Sequence, residues 1–225
     1  MFDSFPSKVS DNQTAREFSF HNDYRTVRLY RLRRHPLLVF FRVMLRHPVS
    51  VCAVAPSSQE LARAMTHGIH LRPKESLIEL GPGTGALTAQ IHRILPASDA
   101  YLGIELEARF VQLLKERFPD LRFVQDTVAR AHRVHVQSGL EPVKAIISGL
   151  SIATLPEDVQ EAFIHNIDRL MTPGCLFRMF QYVHAYPWPS SIRFRQRMSR
   201  LFNSYHRSRV VFKNIPPAFV LTWRR

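Results

Sequence analysis

Cysteine is nearly missing from this chain: Cys52 and Cys175 stand far apart among 225 residues, so no disulfide framework is implied. There are no internal repeats and no low-complexity tract. No apolar run reaches the roughly 20 residues that a membrane-spanning helix needs. The start, Met-Phe-Asp-Ser-Phe-Pro-Ser-Lys, lacks a charged region followed by an apolar core, so a signal peptide is not expected and cytoplasmic is the default. Acidic residues are scarce, 18 against 31 lysines and arginines. The net charge of +13 favours polyanionic partners, either nucleic acid or an anionic membrane face. Glycine is sparse as well, yet three of the eight fall at positions 81, 83 and 85.

That cluster carries the most information. Ser76-Leu-Ile-Glu79-Leu-Gly81-Pro82-Gly83-Thr84-Gly85 reads as a buried strand breaking into a glycine-rich turn, followed by a helix from Ala86. Without Cβ atoms the turn admits a ligand close to the backbone. The N–H groups at the helix start favour a carboxylate or phosphate. An acidic residue is due at the end of the next strand to hold a ribose, and Glu105 in Tyr101-Leu-Gly-Ile-Glu105 stands there. The pattern predicts a nucleoside-type cofactor. Gly81, Gly83 and Ala86 also satisfy the looser G-x-G-x-x-G/A pattern of nicotinamide enzymes.

Strand and helix periods alternate along the chain. A capping-box pattern, Ser57-Ser-Gln-Glu60, opens a helix to about His67. Strands are expected at 76–80, 100–105, 121–125, 143–148 and 175–183. Helices are expected at 86–95, 107–117, 156–171 (with Thr154 and Glu157 as a capping box) and 191–206. Residues 209–223 read as two strands around Ile215-Pro-Pro-Ala. The alternation predicts an α/β fold: a mostly parallel sheet covered on both faces, with an antiparallel C-terminal hairpin. The length suits one such domain at 51–225, preceded by an arm and a basic amphipathic segment at 1–50. Asp126, ending the third strand, is placed to accept from an adenine amino group or to cap a helix. His132 and His135 have no cysteine or acidic cluster beside them, so they read as surface or packing histidines and no metal is expected.

Glu79-x-Gly81-x-Gly83-x-Gly85 resembles motif I of class I S-adenosylmethionine-dependent methyltransferases, a seven-stranded Rossmann-like family. With Val54-Ala-Pro56-Ser57-Ser58, Ser148-Gly-Leu150, Leu155-Pro156 and Asn214-Ile-Pro-Pro217, the chain resembles the bacterial phospholipid N-methyltransferases over roughly 37–225. That resemblance implies S-adenosylmethionine as cofactor and an aminophospholipid as acceptor, with phosphatidylethanolamine converted toward phosphatidylcholine. It implies that Glu79, Gly81, Pro82, Gly83, Thr84 and Gly85 meet the methionine part of the cofactor. Glu105 and Leu106 would hold the ribose, and Asp126 and Thr127 the adenine. Ser148, Gly149 and Leu150 would border the reacting amine, with the Ser148 hydroxyl facing it. The chain departs from the family pattern at Cys52, Ser151 and Val183, which bears on head-group preference rather than on the cofactor.

The flanks suit a lipid. Tyr24 to Arg34 is basic with interleaved apolar residues, and Leu37 to Leu45 is strongly apolar, a composition suited to lie in a membrane interface or to pack on the domain. Arg193 and Arg195, on a helix whose other face carries Phe194 and Met198, are candidates for lipid phosphate. Tyr182 and Tyr186, around a proline-stiffened loop, are candidates to face a progressively methylated ammonium, with Tyr182 also helping to orient the amine. The expected location is the inner face of the cytoplasmic membrane, with nucleic acid a less favoured partner and no protein partner inferred. The related ribosomal RNA adenine dimethylases form the alternative. They carry an Asn-x-Pro-aromatic sequence where this chain has Ser148-Gly-Leu-Ser151, and so the ring that stacks on a flipped base is missing here.

Overall fold

A computed structural model describes residues 57–152 and 155–225. The arm and basic segment of residues 1–50, Cys52, Val54-Ala-Pro56 and the expected cap Thr154 lie outside the described residues.

In chain order the elements are α1 (Gln59–Thr66), β1 (Ser76–Leu80), α2 (Thr88–His92), β2 (Tyr101–Glu105), α3 (Ala108–Arg117), β3 (Phe123–Gln125), α4 (Ala131–Ser138), β4 (Val143–Ser148), α5 (Glu157–Leu170), β5 (Leu176–Tyr182), α6 (Pro189–Leu201), β6 (Ser204–Arg207) and β7 (Ala218–Arg224). The seven strands form one sheet in the order β3-β2-β1-β4-β5-β7-β6. The first five are mutually parallel, and β7 runs antiparallel to both of its neighbours. The strand order reverses between β1 and β4, which opens a crevice at their carboxyl ends.

Strands β1, β2 and β5 are buried throughout, which is why they read as continuous apolar runs rather than alternating ones. Successive side chains still go to opposite layers. Ile78, Leu80 and Ile146 join Val134, Phe163, Phe194 and Met198 beneath α4, α5 and α6. Leu77, Tyr101 and Ile147 join Leu61, Met65, Ile91 and Leu114 beneath α1, α2 and α3.

Three local readings need correction. The cap of α1 is Ser58, one residue later than the capping-box pattern suggests; its Oγ accepts from the Leu61 N–H at 3.1 Å. Helix α4 was not legible, since Ala131 and Val134 are its only fully buried residues; Gly139, at φ 66°, ends it. The final helix stops at Leu201, and the first strand of the last pair is β6, not a segment after 209. All four residues of β6 are exposed, so no apolar pattern marks it, and Val211 makes only an isolated bridge to Ala218.

Arg178 fastens α1 to the sheet. Its Nη1 donates to the Met65 and His67 carbonyls at 3.0 and 2.8 Å, and its Nε donates to Thr222 Oγ1 at 3.0 Å. Those carbonyls belong to the last turn of α1, which has no intrahelical donors for them. Burial, with a smaller push from Arg224, draws its pKa down to about 10, so the charge persists at neutral pH. Arg178→Met should leave buried carbonyls unpaired and cost on the order of 3 kcal/mol. Thermal unfolding should register a fall of several degrees; an unchanged midpoint would refute this role.

Candidate active site at the carboxyl edge of the sheet

The glycine turn leaves β1 and is pinned between its neighbours. Gly81 N–H donates to the Ile104 carbonyl of β2, and Gly149 N–H, just past β4, donates to the Leu80 carbonyl, both at 2.9 Å. A Cβ on Gly149 would lie 2.7 Å from the Gly81 carbonyl oxygen, so the two loops touch backbone to backbone. Gly81 itself has φ 69°, and a Cβ there would lie 2.3 Å from Leu150 Cδ2.

Glu79 is fully buried at the head of this turn. Its Oε2 accepts from Tyr101 OH at 2.6 Å and from Thr88 Oγ1 at 2.8 Å. Its Oε1 is buried with no partner among the described residues. Burial raises its pKa to about 7, against the two hydroxyl donors and with a further push from Glu105. Glu105 ties the turn to β2: Oε2 accepts from Gly83 N–H at 2.9 Å, while Oε1 accepts from Leu106 and Glu107 N–H at 2.8 and 3.0 Å. Burial raises the Glu105 pKa, and the backbone amides oppose that shift. Asp126 accepts from the Thr127 N–H at 2.7 Å and lies 3.5 Å from Arg130.

Gly81, Glu105, Leu106, Thr127 and Leu150 meet around one small cavity, together with Ile104 and Val128. Pro82 is buried and Thr84 is exposed, its carbonyl accepting from Arg117. Ile104 and Val128 were not among the expected residues. The signal was available, as apolar residues flanking the strand-end acids in sequence. The cavity has apolar walls at Ile104, Leu106, Val128 and Leu150, and the turn beside it adds a cradle that a Cβ would fill and, outside the cavity lining, the unpartnered Glu79 Oε1. It fits a nucleoside carrying a cationic tail, as S-adenosylmethionine does.

Two substrate expectations change. Ser148 is fully buried and its Oγ accepts from Leu150 N–H at 3.3 Å, so the hydroxyl closes its own loop instead of facing an incoming amine. A strand end with an otherwise unpaired amide requires that bond. Tyr182 and Tyr186 fall on opposite sides of the sheet. Tyr182 is buried on the α1 side against Phe180 and stacked on His184, whereas Tyr186 packs on the α6 side against Phe219. Arg195 lies over the Tyr186 ring at 3.7 Å. Arg193 is exposed and, two residues along the helix, points elsewhere. Among the described residues no group of three potential metal ligands occurs.

Residues 57–129 match the family model of ribosomal RNA adenine dimethylases. An ornithine lipid N-methyltransferase of Singulisphaera acidiphila is 26% identical over 185 residues, covering 80% of this chain and 91% of the relative. Among solved structures, a TehB-like S-adenosylmethionine-dependent methyltransferase from Corynebacterium glutamicum superposes with TM-score 0.57 at 14% identity, covering 82% of this chain and 97% of that one. Aeropyrum pernix fibrillarin, with natively bound S-adenosylmethionine, superposes with TM-score 0.52 at 14% identity over 73% of this chain and 74% of its own. The fold is that of class I S-adenosylmethionine-dependent methyltransferases.

Proposed function

We propose that this chain is an S-adenosylmethionine-dependent methyltransferase acting on the amine of a membrane lipid's head group, at the inner face of the cytoplasmic membrane. The observation that carries this reading is the extent of the lipid N-methyltransferase match. It spans 185 residues, whereas the ribosomal RNA dimethylase model ends at residue 129, within the cofactor half. The acceptors to test first are phosphatidylethanolamine and an amino-acid lipid such as ornithine lipid.

In this reading Glu79 and the turn from Gly81 to Gly85 receive the aminoacyl tail, Glu105 and Leu106 the ribose, and Asp126 and Thr127 the adenine. Glu105 Oε2 already holds one donor, so it has one remaining lone pair for a hydroxyl. When bound, the cofactor supplies an electrophilic methyl on a sulfonium. The protein's share is to orient the acceptor nitrogen and exclude water. Gly149, with no side chain, lets the loop after β4 rest directly against the Gly81 carbonyl of the cofactor turn. The acceptor must shed a proton before its lone pair can form the N–C bond. Glu157, the next acid along the chain after β4, is bound to Arg197 and is not the expected base.

Membrane contact has support of its own. The loop between β6 and β7 emerges at the same edge as the cofactor turn and presents Phe212 and Ile215 at 77% and 74% exposure, flanked by Arg209 and Lys213. Exposed aromatic and aliphatic groups among cations suit an anionic interface. No described helix is long and apolar enough to cross a membrane. Residues 1–50 would add a second interfacial element ahead of a catalytic domain at 51–225.

The family-model match keeps methylation of ribosomal RNA adenine as a second reading. Incubation with methyl-labelled cofactor plus either mixed phospholipid–aminolipid vesicles or ribosomal RNA separates the two. Label in the lipid fraction is expected. Label in RNA alone would overturn the proposal, and label in neither would remove the methyl-transfer assignment.

A further inference from the structure

Beyond Gly149, the carboxyl edge carries a cluster that cofactor binding does not use. Arg195 of α6 lies 3.7 Å from the Tyr186 ring centroid, and its Nη1 donates to Gln181 Oε1 at 2.8 Å and to the Tyr186 carbonyl at 2.9 Å. Arg207, ending β6, stands 4.9 Å from the same ring and 4.6 Å from that of Phe219. The Tyr186 and Tyr205 hydroxyls are 3.3 Å apart. Gln181 is only 4% exposed, and its Nε2 is buried without an acceptor. Among the described residues no carboxylate pairs with either guanidinium.

Two unneutralised cations held over one ring repel each other, and an unpaired buried amide N–H costs free energy. An oxyanion docked against the guanidiniums would relieve their repulsion. The ring chemistry agrees: burial alone would raise the Tyr186 pKa, but the Tyr205 hydroxyl and the two guanidiniums outweigh it and bring the phenol below its usual value. Position agrees too. Gln181 lies two residues beyond Met179, which pairs with Ser148. Strand spacing and rise then put its Cα roughly 8 Å from the end of β4.

We propose that Arg195 and Arg207, held over Tyr186 beside Tyr205 and Gln181, form a subsite for the oxyanion that an aminolipid carries close to its amine. Guanidiniums present paired donors that match a phosphate or a carboxylate equally well. The subsite sets which amines are accepted: the oxyanion docks here and the nitrogen, a few bonds away, is directed toward Gly149. This rests on the lipid-amine reading above.

The test compares kcat/KM for three acceptors in nonionic micelles: phosphatidylethanolamine, ornithine lipid and a diacyl primary amine with no oxyanion. The wild-type chain should prefer an oxyanion-bearing lipid to the neutral amine by at least about tenfold. Arg207→Gln, at an exposed position, should bring that ratio toward one through KM, and Arg207→Lys should restore part of it. Arg195→Gln should do the same, with cofactor affinity by calorimetry as the check that each variant is folded. Whichever of the two oxyanion lipids loses more identifies phosphate or carboxylate as the group recognised. An unchanged ratio in both glutamine variants overturns the subsite while leaving lipid methylation standing. Failure of the wild-type chain to methylate any of the three removes the parent reading, and this inference with it.

Discussion

Replacing Gly149 with alanine is expected to lower methyl transfer by about a hundredfold or more, the loss that a misplacement of about 1 Å brings in a reacting geometry. The added carbon would lie 2.7 Å from the Gly81 carbonyl oxygen and 3.6 Å from Leu87 Cδ1. Neither loop has room to retreat. Gly81 is held by Ile104 and Gly149 by Leu80, each through a 2.9 Å backbone bond. Relief therefore has to displace the cofactor turn itself. Gly81→Ala offers a useful contrast. Its Cβ meets the flexible end of Leu150 at 2.3 Å, but at φ 69° any side chain is strained, so the damage stays within the turn. Calorimetry with S-adenosylmethionine should show at least tenfold weaker binding for Gly149→Ala, with a lower unfolding midpoint. Wild-type affinity and rate in that variant would falsify the account of how the β1 and β4 loops meet.

Raising the pH from 6 to 8 is expected to tighten cofactor binding and to weaken the unliganded fold, both through Glu79. Burial raises its pKa from 4.5 to about 7, so the folded chain retains a proton that the unfolded chain releases. Because the folded value is the higher one, the stabilising contribution is complete below about pH 4.5 and is lost as pH climbs through 7. The span corresponds to about 3 kcal/mol at most. Glu79→Gln should flatten the dependence of the unfolding midpoint on pH between 5 and 8. Cofactor binding runs the other way. A cationic tail beside the unpartnered Oε1 favours the carboxylate, so binding near pH 7 should release part of a proton. Buffers of different ionisation enthalpy would reveal that release in calorimetry. An affinity unaffected by pH from 6 to 8, with no buffer dependence, would show that Glu79 does not meet the cationic tail.

The runs at 76–80, 101–105, 143–148 and 176–182 were legible because strands buried on both faces are mostly apolar, with Glu79, Glu105 and Arg178 as hydrogen-bonded exceptions. The glycine turn and the acids ending β1, β2 and β3 were legible for a related reason. Close backbone approach and hydrogen-bonded carboxylates demand particular residue types at particular places. Strand β6 escaped because all four of its residues are exposed and show no apolar pattern, and helix α4 because it buries little. Asn214 shows a bond that no local pattern announces. Its Oδ1 accepts from the Ser58 N–H at 2.9 Å across 156 positions, joining two motifs that the sequence displays separately.

Short-range chemistry thus specified the sheet, the turn and the kind of cofactor, since each rests on residues within a few positions of one another. Side-chain direction and long-range neighbours were decided only by folding. The Ser148 hydroxyl turned inward to serve Leu150, Tyr182 and Tyr186 parted to opposite layers, and Arg207 came from an unmarked edge strand to join Arg195. Which groups face one another across a sheet depends on register and strand order, and those are set by how the whole set of elements buries its apolar surface.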